Sequence, residues 1–200
     1  MTVNGEGQSS TIETVRDQSM GLVIAVSGLP AAGKGEFAAI LAATGIPVRS
    51  MGDMVRAEVR ARGIPEAPHV FGEVATEMRA EHGDDVLAHR LVAAVDDLLD
   101  SNRIVLIEGL RGTAEREVFQ NHWGDSFKVV AITASKQLRF ERVQSRARSE
   151  DGDLSDLEKR DERETGWGLD TIIEEAEISF SNESNLEQLQ SEVSAWLNTL

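Results

Sequence analysis

The feature that most constrains this chain is a glycine-rich segment, Gly28-Leu29-Pro30-Ala31-Ala32-Gly33-Lys34-Gly35, directly after the apolar run Leu22–Ser27. The apolar run predicts a buried strand, and the helical spacing of apolar residues over Glu36–Thr44 predicts a helix after the segment. Glycines let backbone N–H groups close around phosphate oxygens, and a helix N-terminus adds partial positive charge. Lys34 adds a full charge suited to the β- and γ-phosphates of a nucleotide. The segment therefore predicts a phosphate-binding loop between a strand and a helix.

Short apolar runs alternate with helical patterns along the rest of the chain. The predicted strands are Leu22–Ser27, Ile46–Arg49, Ile104–Ile107, Val129–Thr133 and Glu177–Phe180. The predicted helices are Glu36–Thr44, Met54–Ala61, Val70–Glu81, Val86–Leu99, Glu115–His122, Lys136–Arg146 and Leu186–Leu197. Alternation of this kind implies parallel βαβ units, and continuously apolar strands indicate a sheet covered on both faces. The prediction is an α/β fold with a five-stranded parallel sheet and helices on both faces.

The net charge of the chain disfavours one class of function, the binding of nucleic acids. With 35 acidic and 20 basic residues, the net charge of −15 disfavours nucleic-acid binding, because such a surface repels phosphate backbones. The surface is either acidic for solubility or adapted to a high-salt cytosol, and the presence of only four lysines favours the second interpretation. No apolar run approaches the length of about 18 residues that spans a membrane. We expect a cytoplasmic monomer or small homo-oligomer without a membrane partner.

The form Gly-x-x-x-x-Gly-Lys-Gly resembles the phosphate loop, or P-loop, of nucleoside monophosphate kinases such as adenylate kinase. Met51-Gly52-Asp53-Met54-Val55-Arg56 is similar to the Gly-Asp-x-x-Arg segment with which that family binds its acceptor monophosphate. Glu108-Gly109-Leu110-Arg111, after an apolar strand, is similar to an Asp-Gly-x-x-Arg segment whose acid serves magnesium and whose arginine binds acceptor phosphate. The resemblance implies acceptor binding by Asp53, Arg56 and Arg111. It also implies Glu108 as the metal ligand, and nucleotide binding by residues Gly28 to Glu36.

The resemblance continues toward the C-terminus. Arg142 and Arg146 resemble the two arginines at the start of the lid in that family, which implies catalytic roles for them beside Lys34. Residues 175–186 are more similar to dephospho-CoA kinase, whose last strand ends in a similar Asn-x-x-x-Leu turn. Over residues 21–197 the whole combination resembles an archaeal P-loop family of unassigned function that is related to adenylate and dephospho-CoA kinases.

This resemblance implies a kinase that uses ATP and Mg²⁺ to phosphorylate a small phosphorylated acceptor. The Gly-Asp-x-x-Arg segment favours a nucleoside monophosphate, and the C-terminal turn favours dephospho-CoA. A regulatory P-loop ATPase that acts on a protein partner is the alternative, because Gly35 replaces the usual Ser or Thr. We expect a disordered tail over residues 1–19 and a P-loop domain over 20–200. Within it, the acceptor-binding insertion spans about 53–100 and a short lid spans about 147–166.

For several residues the sequence allows a second interpretation. Asp53 is either a helix N-cap or a ligand, and Trp167 is either a hinge plug or a platform for a base. Arg142 and Arg146 have the alternative of surface ion pairs with Glu141 and Glu150. The charged run that contains Arg160, Asp161 and Arg163 belongs either to the site or to a face exposed to solvent. Lys34 is expected to face solvent when no nucleotide is bound.

Overall fold

A computed structural model describes residues 21–67, 69–146 and 151–200. The predicted tail over 1–19 lies outside these residues, as do 147–150 of the predicted lid. The strands are β1 (Leu22–Ser27), β2 (Val48–Ser50), β3 (Ile104–Leu110), β4 (Phe127–Thr133) and β5 (Ile178–Ser181). The helices are α1 (Lys34–Ala43), α2 (Met51–Ala61), α3 (Val70–His82), α4 (Val86–Leu99), α5 (Thr113–Trp123), α6 (Lys136–Arg146), α7 (Leu154–Gly166), α8 (Leu169–Glu174) and α9 (Leu186–Leu197).

The strands form one parallel sheet in the order β2-β3-β1-β4-β5, which confirms the predicted fold class. The register between β1 and β3 shifts after Val26, so that Ser27 pairs with Leu110. Ser27 is fully buried, and its Oγ donates a hydrogen bond of 2.8 Å to the carbonyl of Leu110. This contact holds the ends of β1 and β3 side by side, and it brings the loop after β1 close to Arg111.

Each face of the sheet carries its own apolar core. One core contains Phe119, Trp123 and Phe127 with helices α2 to α5 and α8, and the other contains Phe37 and Phe180 with helices α1 and α9. Burial on both faces explains why the central strands are apolar without alternation. The sheet is therefore a rigid layer whose carboxyl edge can carry a binding site.

Three segments differ from the sequence prediction. Helix α7 is absent from the predicted helices because most of its residues are charged and polar, and only Leu157 and Glu164 are buried. Helix α8 is absent from the prediction because it has only six residues, too few for an apolar period, although Leu169 and Ile172 are fully buried. Strand β3 continues three residues further than predicted, to Leu110, so Glu108 lies within the strand and not at its end. None of the described helices has both the length and the apolar character needed to cross a membrane.

We expect the melting temperature to rise with KCl concentration. The net charge of −15 makes the carboxylates of the folded protein repel one another. The screening length falls from about 10 Å at 0.1 M salt to about 3 Å at 1 M, so salt weakens this repulsion. Thermal unfolding between about 0.1 and 2 M KCl, a range that brackets this change in screening, measures the effect. A melting temperature that stays flat or falls over this range would refute adaptation to high salt.

Candidate functional site

The glycine-rich loop leaves no space for side chains at its two turning points. Gly28 has a φ of +148°, and a Cβ there would lie 2.3 Å from the carbonyl oxygen of Ile132. Gly33 has a φ of +118°, and a Cβ there would lie 2.1 Å from Nδ2 of Asn182. Between them Ala31 has a φ of 62°, a left-handed conformation that costs a non-glycine residue about 1–2 kcal/mol. The loop is thus a cradle of exposed backbone at the N-terminus of α1, and it fits a phosphate group.

Lys34 is the first residue of α1 and is only 7% exposed, so the expectation that it faces solvent is wrong. Its Nζ donates hydrogen bonds to the carbonyl oxygens of Gly28 and Leu29, at 2.5 and 3.1 Å. Burial lowers the pKa of Lys34 to about 8, although Glu164 acts in the opposite direction. The ammonium group is therefore held inside the loop by carbonyls that compensate its charge only in part, and phosphate oxygens would compensate it better.

Glu108 is held in place at the sheet edge beside the loop. Its Oε2 accepts a hydrogen bond of 2.7 Å from Ser50 Oγ at the end of β2. Burial by itself would raise the pKa of Glu108, but the charges of Arg111 and Lys34 outweigh burial and lower it. The carboxylate is thus ionised at neutral pH. One such carboxylate, with phosphates and waters, is a donor set that Mg²⁺ accepts.

The predicted acceptor residues line the same cleft as Lys34 and Glu108, which has a volume of about 800 Å³. Arg56 Nη1 lies 2.9 Å from Asp53 Oδ1, and the Asp53 side chain is 71% exposed. Asp53 is not the N-cap of α2, because the helix begins at Met51 and Ser50 occupies the cap position. Arg111 follows β3, and its Nη1 donates to the carbonyl of Gly109 at 2.8 Å.

A buried carboxylate from α7, which the sequence analysis did not assign, holds two of the cleft arginines. Glu164 is 2% exposed. Its Oε1 accepts a hydrogen bond of 3.1 Å from Arg160 Nε, and its Oε2 lies 3.2 Å from Arg111 Nε. Burial by itself would raise the pKa of Glu164, but the charges of Arg111 and Arg160 lower it to about 2. Glu164 therefore carries its negative charge inside the site and ties α7 to the end of β3.

A second residue that the sequence did not point to is an arginine that joins α7 to the phosphate loop. Arg139, on α6 and 3% exposed, donates to both carboxylate oxygens of Asp161 at 2.8 and 2.7 Å. The same Nη1 donates to the carbonyl of Pro30 at 3.1 Å. The solvated-face interpretation is therefore wrong for Asp161. The sequence could have pointed to Arg139, because it lies three residues before Arg142 and therefore near the same face of α6.

The predicted catalytic arginines also line the cleft, and both have partners. Arg142 donates to the carbonyls of Ala32 and Asn182, at 3.1 and 2.7 Å. Arg146 makes a two-point ion pair with Asp151, at 2.7 and 2.6 Å. The structure describes Glu141 without an ion pair to either arginine, and Glu150 lies outside the described residues. The catalytic roles of Arg142 and Arg146 stay predictions.

Comparison with known proteins agrees with this geometry. The family described as AAA domain matches residues 27–160. A UPF0200 protein of Methanoregula boonei is 41% identical over 179 residues, covering 89% of this chain and 97% of that protein. One of Halobacterium salinarum is 38% identical, covering 82% of this chain and 86% of that protein.

A solved structure shares the fold. Shikimate kinase from Acinetobacter baumannii, in complex with shikimate, superimposes with a TM-score of 0.56. The match covers 90% of this chain and 95% of the kinase at 15% identity, so the likeness is one of fold alone. The archaeal relatives and the matching domain identify the chain as a member of the UPF0200 family that contains an AAA domain, with a glycine-rich loop and a parallel sheet.

Proposed function

We propose that the protein is a phosphotransferase that moves the γ-phosphoryl group of ATP to a small phosphorylated acceptor. The observation that carries this proposal is the convergence of three kinds of group in one cleft. Lys34 lies in the phosphate loop, Glu108 is an ionised carboxylate near the carboxyl edge of the sheet, and Arg56 and Arg111 line the same cleft. Phosphoryl transfer needs mainly this positioning of donor and acceptor and the neutralisation of phosphate charge.

Each group has a distinct task in this proposal. The loop N–H groups and Lys34 bind the β- and γ-phosphates, and Glu108, oriented by Ser50, would hold Mg²⁺. Mg²⁺, when bound, neutralises charge on the phosphates. Arg56 and Arg111 bind the acceptor, since guanidinium groups match phosphate oxygens in two-point hydrogen bonds.

The helix α7 and the arginines of α6 complete the site. Because Arg139 and Glu164 bind α7 against the loop and β3, this helix can exclude water from the cleft. Because water is excluded, ATP is not hydrolysed before the acceptor binds. Arg142 and Arg146 would leave their present partners and neutralise charge on the transferred group.

A screen of ATP consumption against candidate acceptors tests the proposal. The panel contains the nucleoside monophosphates and dephospho-CoA, and the assay is run in high potassium salt because the chain is strongly acidic. We expect ATP consumption to depend on one added acceptor. ATP consumption that no acceptor increases, but that a protein partner increases, would instead support the regulatory ATPase.

We expect Arg56→Ala to raise KM for the acceptor by about 10- to 100-fold, since a hydrogen bond to a charged group contributes about 1.5–3 kcal/mol. Arg111→Ala should act in the same direction. KM for ATP should change little, because Arg56 lies on α2 and the phosphate loop precedes α1. Arg60→Ala is the matched control, since Arg60 is exposed on the same helix. The site assignment would be wrong if Arg56→Ala weakened ATP binding and spared the acceptor.

A further inference from the structure

Beneath α7 the cleft continues into a smaller inner chamber. The two spaces share Gly52, Arg56, Arg111 and Arg160 as lining residues, so they adjoin one another. The inner walls are apolar and are formed by Val55, Phe71, Ala75, Leu87 and Trp167. Arg79, Arg163 and Glu164 are the charged side chains that line the chamber without also lining the cleft.

Arg163 lies in a recess that a glycine creates. A Cβ on Gly72 of α3 would lie 2.3 Å from Cζ and Nη1 of Arg163, so the guanidinium group rests directly on the helix backbone. Its Nε is buried and has no hydrogen-bond partner in the described part of the chain. Burial lowers the pKa of Arg163, although the charge of Glu164 acts in the opposite direction.

Arg79 packs against the Trp167 ring and has partners on its terminal nitrogens, although its Nε, like that of Arg163, is buried without a hydrogen-bond partner in the described residues. It is 5% exposed and donates to Glu115 at 2.5 Å and to the carbonyl of Ala75 at 3.1 Å. Its guanidinium carbon lies 4.0 Å from the centroid of the Trp167 ring, and that of Arg163 lies 5.9 Å from it. The Trp167 ring is therefore in close contact with Arg79, and Arg163 lies further from it.

The charges of the chamber do not balance. Glu115 compensates Arg79, Glu108 and Glu164 both compensate Arg111, and Glu164 also pairs with Arg160, so Arg163 has no carboxylate of its own among these groups. Arg163 lies beside the same Glu164 carboxylate, with Arg160, Arg111 and Arg79 as further positive neighbours. A buried positive charge costs free energy unless an anion compensates it. In a molecule of net charge −15, a local excess of positive charge indicates an anionic ligand.

We propose that the acceptor is an alcohol with a separate anionic group, a carboxylate or a phosphate, that enters the chamber and binds Arg163 there together with Arg160 at the border with the cleft. This inference rests on the proposed phosphoryl transfer, disfavours a nucleoside monophosphate among the acceptors named above, and adds hydroxy acids to them. A nucleoside monophosphate would place its only anionic group at the site of transfer and an uncharged base in the chamber, which leaves Arg163 uncompensated. Dephospho-CoA carries anionic groups apart from the hydroxyl that is phosphorylated, and a small hydroxy acid does the same.

In the transfer, the acceptor hydroxyl oxygen forms a bond to the γ-phosphorus of ATP. The bond from that phosphorus to the β–γ bridging oxygen breaks, and its electron pair stays on ADP. The hydroxyl proton is released to solvent. The second anionic group takes no part in these steps and only orients the acceptor.

Binding of simple anions to the nucleotide-loaded protein tests the inference. The phosphate loop is first saturated with Mg²⁺ and the non-hydrolysable analogue AMP-PNP, and inorganic phosphate or malonate is then titrated by calorimetry. We expect one of the two anions to bind, and tighter binding of phosphate or of malonate identifies which anionic group the acceptor carries. Arg163→Gln should weaken this binding at least tenfold, and Arg60→Gln should leave it unchanged.

Gly72→Ala is a second variant that does not depend on removing a charge. The new methyl group would displace the Arg163 guanidinium, so anion binding should fall, while the melting temperature should not fall because alanine favours a helix over glycine. Equal anion binding by wild type and Arg163→Gln, or no anion binding by the loaded wild type, would overturn the inference. Such a result would leave the proposed function standing, because AMP-PNP binding and acceptor-dependent ATP consumption are separate measurements that test it.

Discussion

Replacing Lys34 with methionine is expected to reduce phosphoryl transfer by about 10²- to 10³-fold, the effect of losing one preorganised donor to developing charge. The same change should stabilise the nucleotide-free protein. Burial lowers the pKa of Lys34 from 10.5 to about 8, and each unit corresponds to about 1.36 kcal/mol. The charged lysine thus costs the folded state roughly 3 kcal/mol at neutral pH. Few substitutions in a binding site are expected to remove activity and raise stability together.

The stability that Lys34→Met gains should depend on pH, because the pKa of Lys34 is lower in the folded state than in the unfolded state. Below pH 8 Lys34 is charged in both the folded and the unfolded state, and the whole cost of burying its charge is present. Between pH 8 and 10.5 the folded protein releases a proton that the unfolded chain keeps, so the cost disappears. Urea unfolding of wild type and Lys34→Met at pH 7 and at about pH 10 measures the difference. A variant that is less stable than wild type at pH 7 would contradict this account of Lys34.

Glu164→Gln is expected to lower the free energy of unfolding by about 3 kcal/mol at neutral pH, because a buried charge that loses its partner costs about this much. Glu164 compensates Arg111 and Arg160, and these arginines lower its pKa from 4.5 to about 2. Its stabilising contribution is present above pH 4.5 and is lost as the pH falls toward 2. The melting temperature should fall by roughly 6–12 °C, at about 2–4 °C per kcal/mol for a chain of this size.

Glu162→Gln provides the control for this prediction, since Glu162 is exposed on the same helix. Its melting temperature should match that of wild type. The difference between Glu164→Gln and wild type should shrink when both are unfolded near pH 3. Equal melting temperatures for all three proteins at pH 7 would show that Glu164 does not hold α7 in place.

The features that the sequence predicted well are those that depend on near neighbours in the chain. The strand before the loop, the glycines at 28 and 33 and the helix after Lys34 lie within about 20 residues, and local conformation determines them. The five strands were also recognisable, because burial on both faces makes each of them a short apolar run. Prediction of the parallel sheet followed from their alternation with helices.

The features that the sequence did not predict depend on contacts between distant segments. Glu164 meets Arg111 across 53 positions, and no local pattern distinguishes it from the other acids of the same charged run. Lys34 was expected in solvent because its burial arises from the loop carbonyls and from α7 folding over the site. Trp167 lies in a Gly-Trp-Gly sequence that suggested a hinge or a base platform, whereas its ring packs on Arg79.

The most direct test of the proposed transfer follows the γ-phosphate of labelled ATP. Wild type and Lys34→Met are each incubated with ATP, Mg²⁺ and the acceptor that the screen selects, and the label is separated into acceptor, inorganic phosphate and remaining ATP. A phosphotransferase predicts that the label enters the acceptor in equal amount to the ADP formed, and that Lys34→Met transfers almost none. Label that enters inorganic phosphate alone, at a rate that the acceptor does not change, would contradict the proposed function.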